Sequence, residues 1–324
     1  MNKNVTIIMY HYVRDLKHSI YSDIKGLDIS LFREQIEYLK KHYHFITMEM
    51  LIDAIENGSS LPSKSVLLTF DDAYIDHYKY VFPLLDKLKI QGSFFPSAKA
   101  ITEHTVLDVN KIHFILAAEN NKTKIINEIN IELNKYRKDY NLESNSFYFE
   151  KLAHPNRFDT AEVIFIKRLL QVELDEKLRN IITNNLFEKI VGISEDSFSR
   201  ELYMDIEQLK CMLRNGMHIG SHGHDHYWLG ALPREKQKVE IEKALSFLEQ
   251  VGCNTKQWTM CYPYGNYNES TIELLREANF KLALTTEVNI ADIQNGNRFT
   301  LPRLDTNDIP KSRDAATNDW YLKG

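Results

Sequence analysis

The sequence predicts an α/β fold of parallel strands interrupted by a long helical stretch, and three observations carry that prediction. Short β-branched and aliphatic runs alternate with stretches of helical periodicity. Strand, helix and strand follow one another around Leu67-Leu68-Thr69-Phe70-Asp71-Asp72, an order that implies parallel pairing. From about 101 to 199 the chain turns polar and almost wholly helical. Its 324 residues leave room for a (β/α) barrel, which takes about 250, and an appendage.

Residues 5–10 form the first strand, running into His11. Ser30 caps a helix to about 42, with Leu31, Phe32, Ile36, Leu39 and Tyr43 at helical spacing. Thr47 caps the next, and Gly58 stops it. Ser65-Val66-Leu67-Leu68 is a buried strand. The helix after Asp72 carries Tyr78, Val81, Leu84, Leu85 and Leu88, with Pro83 marking a first turn or a kink. Gly92-Ser93-Phe94-Phe95 is the next strand. Within the helical stretch, Asp159 and Glu162 have the spacing of a capping box, Asp175 and Asn184-Asn185 are breaks, and Gly192 is a stop. Asp205 caps a helix that Gly216 ends, and a strand at 217–220 delivers a histidine cluster. Pro233 opens a long helix. Strands follow at 257–262, 280–284 and 300–301, with a helix around Ile272 and Leu275.

Composition excludes several classes. A net charge of −5, from 40 basic and 45 acidic residues, leaves no electrostatic footprint for nucleic acid. No stretch approaches the roughly 20 apolar residues of a membrane span. The apolar run after Met1 is short and lacks a small-residue cleavage site, so it reads as no signal peptide. Three scattered cysteines, Cys211, Cys253 and Cys261, make no disulfide framework. Together these read as a reduced, cytoplasmic protein.

Two stretches carry chemistry. Asp71 and Asp72 stand at the C-terminal end of a strand, where parallel folds assemble their sites. Strand alternation aims them differently; alone, the pair reads equally as a turn or helix cap. His218-Ile219-Gly220-Ser221-His222-Gly223-His224-Asp225-His226 holds four of the 12 histidines in nine residues. On a helix or tight turn the i, i+4 pair His222 and His226 shares one side. With Asp72 they make a two-histidine, one-carboxylate set that leaves positions for water and substrate. The ligand types favour a single divalent ion, zinc.

Thr69-Phe70-Asp71-Asp72, His222 with His226, and Tyr262-Pro263-Tyr264-Gly265 resemble, in order, three motifs of the NodB-homology polysaccharide deacetylases (carbohydrate esterase family four). Gly92-Ser93-Phe94-Phe95 resembles that family's next strand. The likeness runs from about Thr6 to Asp308, apart from the middle segment. It implies a distorted (β/α) barrel, NodB-like and related to the TIM barrel, as one domain over 1–324 with 101–199 as a helical insertion. It further implies a metal-dependent amide hydrolase that removes N-acetyl groups from an amino sugar or glycan precursor, which the cytoplasmic reading makes soluble, nucleotide- or lipid-linked. Asp71 would then be the general base and Tyr264 N–H an oxyanion donor, with Pro263 and Gly265 shaping that turn at the substrate. A Tyr-His pair often follows the first strand in this family. His11 accordingly reads either as a substrate-side group or as a satisfied core histidine.

The chain departs from the family at three places. Ala73 stands where glycine is usual. Cys261 replaces an arginine that usually orients the base, and Arg303 is the candidate substitute, a surface salt bridge being the other reading. No histidine follows His226, so the usual general acid is missing; His11 or His113 could take its place. The insertion could be a lid, a partner surface or packing. Two other functions remain open: hydrolysis of a small non-sugar amide, and carbohydrate binding without catalysis.

Overall fold

The computed structural model describes residues 3–156 and 159–324. The reading of the N-terminus as leader-free includes Met1 and Asn2, which lie outside the described residues. The chain divides into two compact units. One comprises Met1–Asp15, Gly26–His104 and Ser199–Gly324; the other Leu16–Lys25 and Thr105–Phe198.

The first unit is α/β. Asn4–Tyr10 pairs in parallel with Ser65–Asp71, that strand with Gly92–Phe95, and that one with His218–Ile219. Thr259–Cys261 and Leu282–Leu284 form another parallel pair. Leu304–Asp305 returns to lie parallel to the first strand, Ile8 opposite Leu304. Ser65–Asp71 is buried along its whole length, as expected of a strand covered on both faces. Its alternation sorts the side chains. Phe70 stacks between Tyr10 and Phe94, with ring centroids 5.0 and 4.8 Å apart. Leu67 faces the other way, into an apolar cluster with Val5, Ile7, Phe95, Cys261, Leu282, Leu284 and Leu301. Thr69 and Asp71 share the Leu67 side by the same two-residue period.

Helix boundaries follow local chemistry. Ile29–His42 is capped by Asp28, whose carboxylate accepts from Ser30 N, so the cap lies two residues before the expected Ser30. Thr47 caps Met48–Asn57, and Gly58 ends it at φ 71°. After Asp72 a widened π turn, His77–Val81, runs directly into Phe82–Leu88, with Pro83, which has no N–H to donate, immediately after the widening. Asp205 forms a capping box with Gln208 at Ile206–Arg214.

The second unit is helical: Asp108–Ala118, Lys122–Tyr136, Asn145–Leu152, Ala161–Arg168, Glu176–Val191 and the start of Glu195–Leu202. Tyr21 joins it through edge contacts with Phe114 and Phe198. The expected break at Asn184-Asn185 is absent; both lie inside Glu176–Val191. Their amides are occupied elsewhere, Asn184 Oδ1 accepting from Lys111 Nζ at 2.6 Å and Asn185 Nδ2 donating to Glu132 at 2.8 Å. They therefore do not compete for backbone groups, which is how asparagine usually disrupts a helix. The cap of Ala161–Arg168 is Thr160, one residue after the expected Asp159. Among the described residues no helix is long and apolar enough to cross a membrane.

Candidate active site

Asp71 is the last residue of its strand, and the residue is 1% exposed. Arg303, wholly buried, meets it with two parallel hydrogen bonds: Nη1 to Oδ1 at 3.0 Å and Nη2 to Oδ2 at 2.8 Å. The guanidinium is anchored by Nε to Thr285 O at 2.8 Å and Nη1 to Thr69 Oγ1 at 3.1 Å. The Cys261 sulfur lies 3.3 Å from Nη1. Burial pushes the Asp71 carboxyl up. The Arg303 guanidinium, helped by His222, outweighs that and holds it below the ordinary carboxylate range. Asp71 is thus kept ionised in a dry setting.

Asp72 turns away from its neighbour because the backbone leaves the strand there, in the left-handed region at φ 68°; Ala73 follows at φ 54°. Ala73 holds a left-handed conformation that glycine would take without strain. Tyr74 Oη donates to Asp72 Oδ2 at 2.6 Å. The other oxygen, Oδ1, is buried without a hydrogen-bond partner among the described residues and lies 3.5 Å from Nε2 of both His222 and His226. One donor atom from each of the three side chains falls within 4.8 Å of the others. His222 Nδ1 bonds the Cys261 carbonyl at 2.7 Å, so Nδ1 carries the proton and Nε2 presents its lone pair. Burial drives the His226 imidazole down to about 3, against the pull of Asp72, which keeps it neutral. An orphaned carboxylate oxygen facing two imidazoles is a donor set that suits a divalent cation.

The two histidines do not sit on a helix. They lie in an irregular loop, with Gly223 at φ 74° and His226 at φ 58°. The left-handed turns bring the rings to 4.8 Å, as an i, i+4 helical pair would have done. His224, between them, points instead toward Glu103, at 3.6 Å. Glu240, from the helix Arg234–Val251, accepts from the backbone of His224 and Asp225. Its own burial raises it to about 7, against the hydrogen bond from Asp225 N.

Pro263-Tyr264-Gly265 forms a tight turn after Thr259–Cys261. Tyr264 is left-handed at φ 57°, and its ring meets His226 edge-on at 4.7 Å and stacks on Trp228 at 4.6 Å. Gly265, at φ 66°, is required: a Cβ there would fall 2.1 Å from Thr286 Oγ1. His11 Nε2 stands 3.8 Å from Asp71 Oδ2, and its side chain is 41% exposed, so it is no core histidine. His77, buried beneath, contacts the His11 carbonyl through Nε2 at 2.6 Å. His113, the other candidate acid, belongs to the helical unit, where it lines a cavity of about 300 Å³ with Lys25, Lys122, Asp159 and Lys167.

The structure thus groups His11, Asp71, Asp72, His222, His226, Tyr264 and Arg303 in one unit. Sequence reasoning missed Thr69, Tyr74, His77 and Glu240. Thr69 was findable, two residues before Asp71 on the same strand face. Glu240 also left a trace, as a carboxylate in the stripe Gln237, Ile241, Ala244 and Leu248. Tyr74 and His77 left none.

The polysaccharide deacetylase family model matches residues 58–132 and 184–283, more than half of the chain. The chain belongs to the polysaccharide deacetylase family. His11 and Arg303 both fall outside the matched segments. Among curated relatives, the poly-β-1,6-N-acetyl-D-glucosamine N-deacetylase of Escherichia coli (strain K12) is 40% identical over 79 residues, 24% of this chain and 12% of that protein. The chain spans about a third or less of the length of the curated relatives it matches. Among solved structures, deacetylase PplD of Streptococcus pyogenes, in complex with acetate, aligns with TM-score 0.59 at 19% identity, covering 96% of this chain and 95% of that one. IcaB from Ammonifex degensii aligns with TM-score 0.56 at 19% identity, over 99% and 95%. At these identities the family member shares their α/β fold.

Proposed function

We propose that this family member is a metal-dependent N-deacetylase of amino-sugar glycans, acting from a distorted (β/α) barrel with the helical segment inserted. Two isolated parallel bridges between the separate strand sets support the barrel reading: Ser221 with Met260, and Leu284 with Leu301. The observation that carries the activity is one buried carboxylate, Asp71, locked by Arg303 beside a second, Asp72, aimed at two imidazoles. The substrate class follows the Escherichia coli relative, whose name gives poly-β-1,6-N-acetyl-D-glucosamine.

Asp72, His222 and His226 would hold the metal. When bound, it supplies Lewis-acid polarisation of the amide carbonyl and makes water nucleophilic near neutral pH. Asp71, kept ionised by Arg303, accepts the proton of the attacking water. Tyr264 N–H donates to the oxyanion that develops as water adds to the carbonyl carbon. The C–N bond then breaks, His11 gives its proton to the departing amine, and acetate and a free amino sugar result. His11 suits that task as the exposed imidazole beside Asp71, its backbone held by His77. Trp228 and Tyr264 offer a flat aromatic wall beside the turn.

The test is acetate release from N-acetylglucosamine oligomers, sugar nucleotides and a small acetamide, with wild type and His11→Gln. Release from the sugars, lowered about 10²–10⁴-fold in the variant, is expected. Release from the small amide alone would overturn the substrate class, and full activity in His11→Gln would overturn its role.

A further inference from the structure

Between the bridge at Ser221 and the turn at Leu229, the histidine loop has no regular structure of its own. Left-handed backbone at a residue bearing a Cβ, as at His226, persists only where the surroundings over-determine it. Here they do. His222 N donates to Pro96 O at 3.1 Å, and Gly223 N to Ser221 Oγ at 3.2 Å. The carbonyls of Gly223 and His224 accept from Ala98 N and Lys99 N, each at 3.1 Å. The N–H groups of His224 and Asp225 converge on a single atom, Oε2 of Glu240, at 3.3 and 2.8 Å. Glu240 is 4% exposed, so its carboxyl has given up water to reach them. A leucine of similar size would pack that helix face without this cost, but it would offer no acceptor. The Asp225 carboxylate is taken up by Lys99 Nζ, and Lys243 is the other cation near Glu240.

We propose that Glu240 is the positioning residue of the metal-ligand loop. Its Oε2 gathers the two N–H groups between His222 and His226, fixes the span between these residues, and aims both imidazoles at Asp72 Oδ1. The inference rests on the reading of Asp72, His222 and His226 as the metal site.

The experiment is zinc affinity of the whole metal-free protein, by competition with a chromophoric chelator, for wild type, Glu240→Leu, Glu240→Gln and His222→Ala. Glu240→Leu should bind zinc about 10–100-fold more weakly, the usual loss when an outer partner of a ligand is removed. Glu240→Gln keeps a carbonyl oxygen at the same reach and should restore most of that loss, which a purely structural carboxylate would not permit. Zinc affinity in Glu240→Leu equal to wild type, or Glu240→Gln as weak as Glu240→Leu, overturns the proposal. Retention of zinc by His222→Ala overturns instead the metal-site reading beneath it. If Glu240→Leu does not fold, hydrogen exchange of wild type decides. The amides of His224 and Asp225 should be protected without metal, and free exchange there refutes the proposal.

Discussion

Replacing Arg303 with methionine should destabilise the α/β unit by about 3–5 kcal/mol, because it strands the Asp71 charge in a dry interior. The pair is closed on both sides, Arg303 being 0% and Asp71 1% exposed, with nitrogen–oxygen distances of 2.8 and 3.0 Å. At that separation, with an effective dielectric near 20, the attraction is about 6 kcal/mol, most of it set against desolvation. Methionine also leaves Thr285 O and Thr69 Oγ1 without their donor, about 1 kcal/mol each. The sign of the double variant is the sharper test. Asp71→Asn with Arg303→Met removes both charges, so it should be more stable than Arg303→Met alone. All three tryptophans, Trp228, Trp258 and Trp320, lie in this unit, so intrinsic fluorescence during urea unfolding of the metal-free protein reads it selectively. An Arg303→Met protein as stable as wild type, or a double variant less stable than it, would refute the argument.

The two adjacent carboxylates should separate by role. Asp71→Asn should keep its metal by elemental analysis and lose about 10²–10⁴ in turnover, whereas Asp72→Asn should lose metal; the reverse pattern would exchange their roles. Burial depresses the His77 imidazole from 6.5 to about 4. A depressed base stabilises the fold fully above pH 6.5, and that contribution, about 3 kcal/mol, is lost as pH falls through 4. His77→Gln should therefore flatten urea stability between those pH values in metal-free protein, and parallel curves would contradict this. Gly265→Ala should cost more than about 1 kcal/mol in urea unfolding, since φ 66° and Thr286 both oppose a methyl there. A fully stable variant would show that the turn relaxes.

Local signals made the longer strands and most helix ends legible, but not the short pairings: 300–301, expected as a strand, holds a single bridge at Leu301, while Leu304–Asp305 and Ala291–Asp292 are the strands that pair with Asn4–Tyr10. Thr47, Asp205 and Gly58 each act through chemistry confined to a few residues, so their places could be read directly. Asn184 and Asn185 misled because Lys111 and Glu132, far away in sequence, occupy their amides. Asp72, His222 and His226 were legible from residue type and spacing, whereas Tyr264 and Arg303 came only through the family resemblance, Arg303 with a surface salt bridge as its other reading; the structure buries it against Asp71. The membership of Leu16–Lys25 in the helical unit was not, because it depends on how Tyr21 packs in three dimensions. The histidine loop was legible as a cluster but not as a shape, since left-handed residues and the reach of Glu240 leave no periodic signal.

The bond between Asp71 and Arg303 closes a loop of 232 residues. Contacts of such long sequence separation form late, because the closure entropy must be overcome before they stabilise anything. Until the segment around Arg303 docks beside Asn4–Tyr10, Asp71 has no counter-charge, and water is its better environment. The Leu67 face of Ser65–Asp71 should then stay hydrated at its C-terminal end while its apolar start is already packed. Maturation of the site and completion of folding are, on this topology, the same kinetic event: a chain caught before that last docking step holds Asp71, Asp72 and both histidines and still lacks the counter-charge of Asp71.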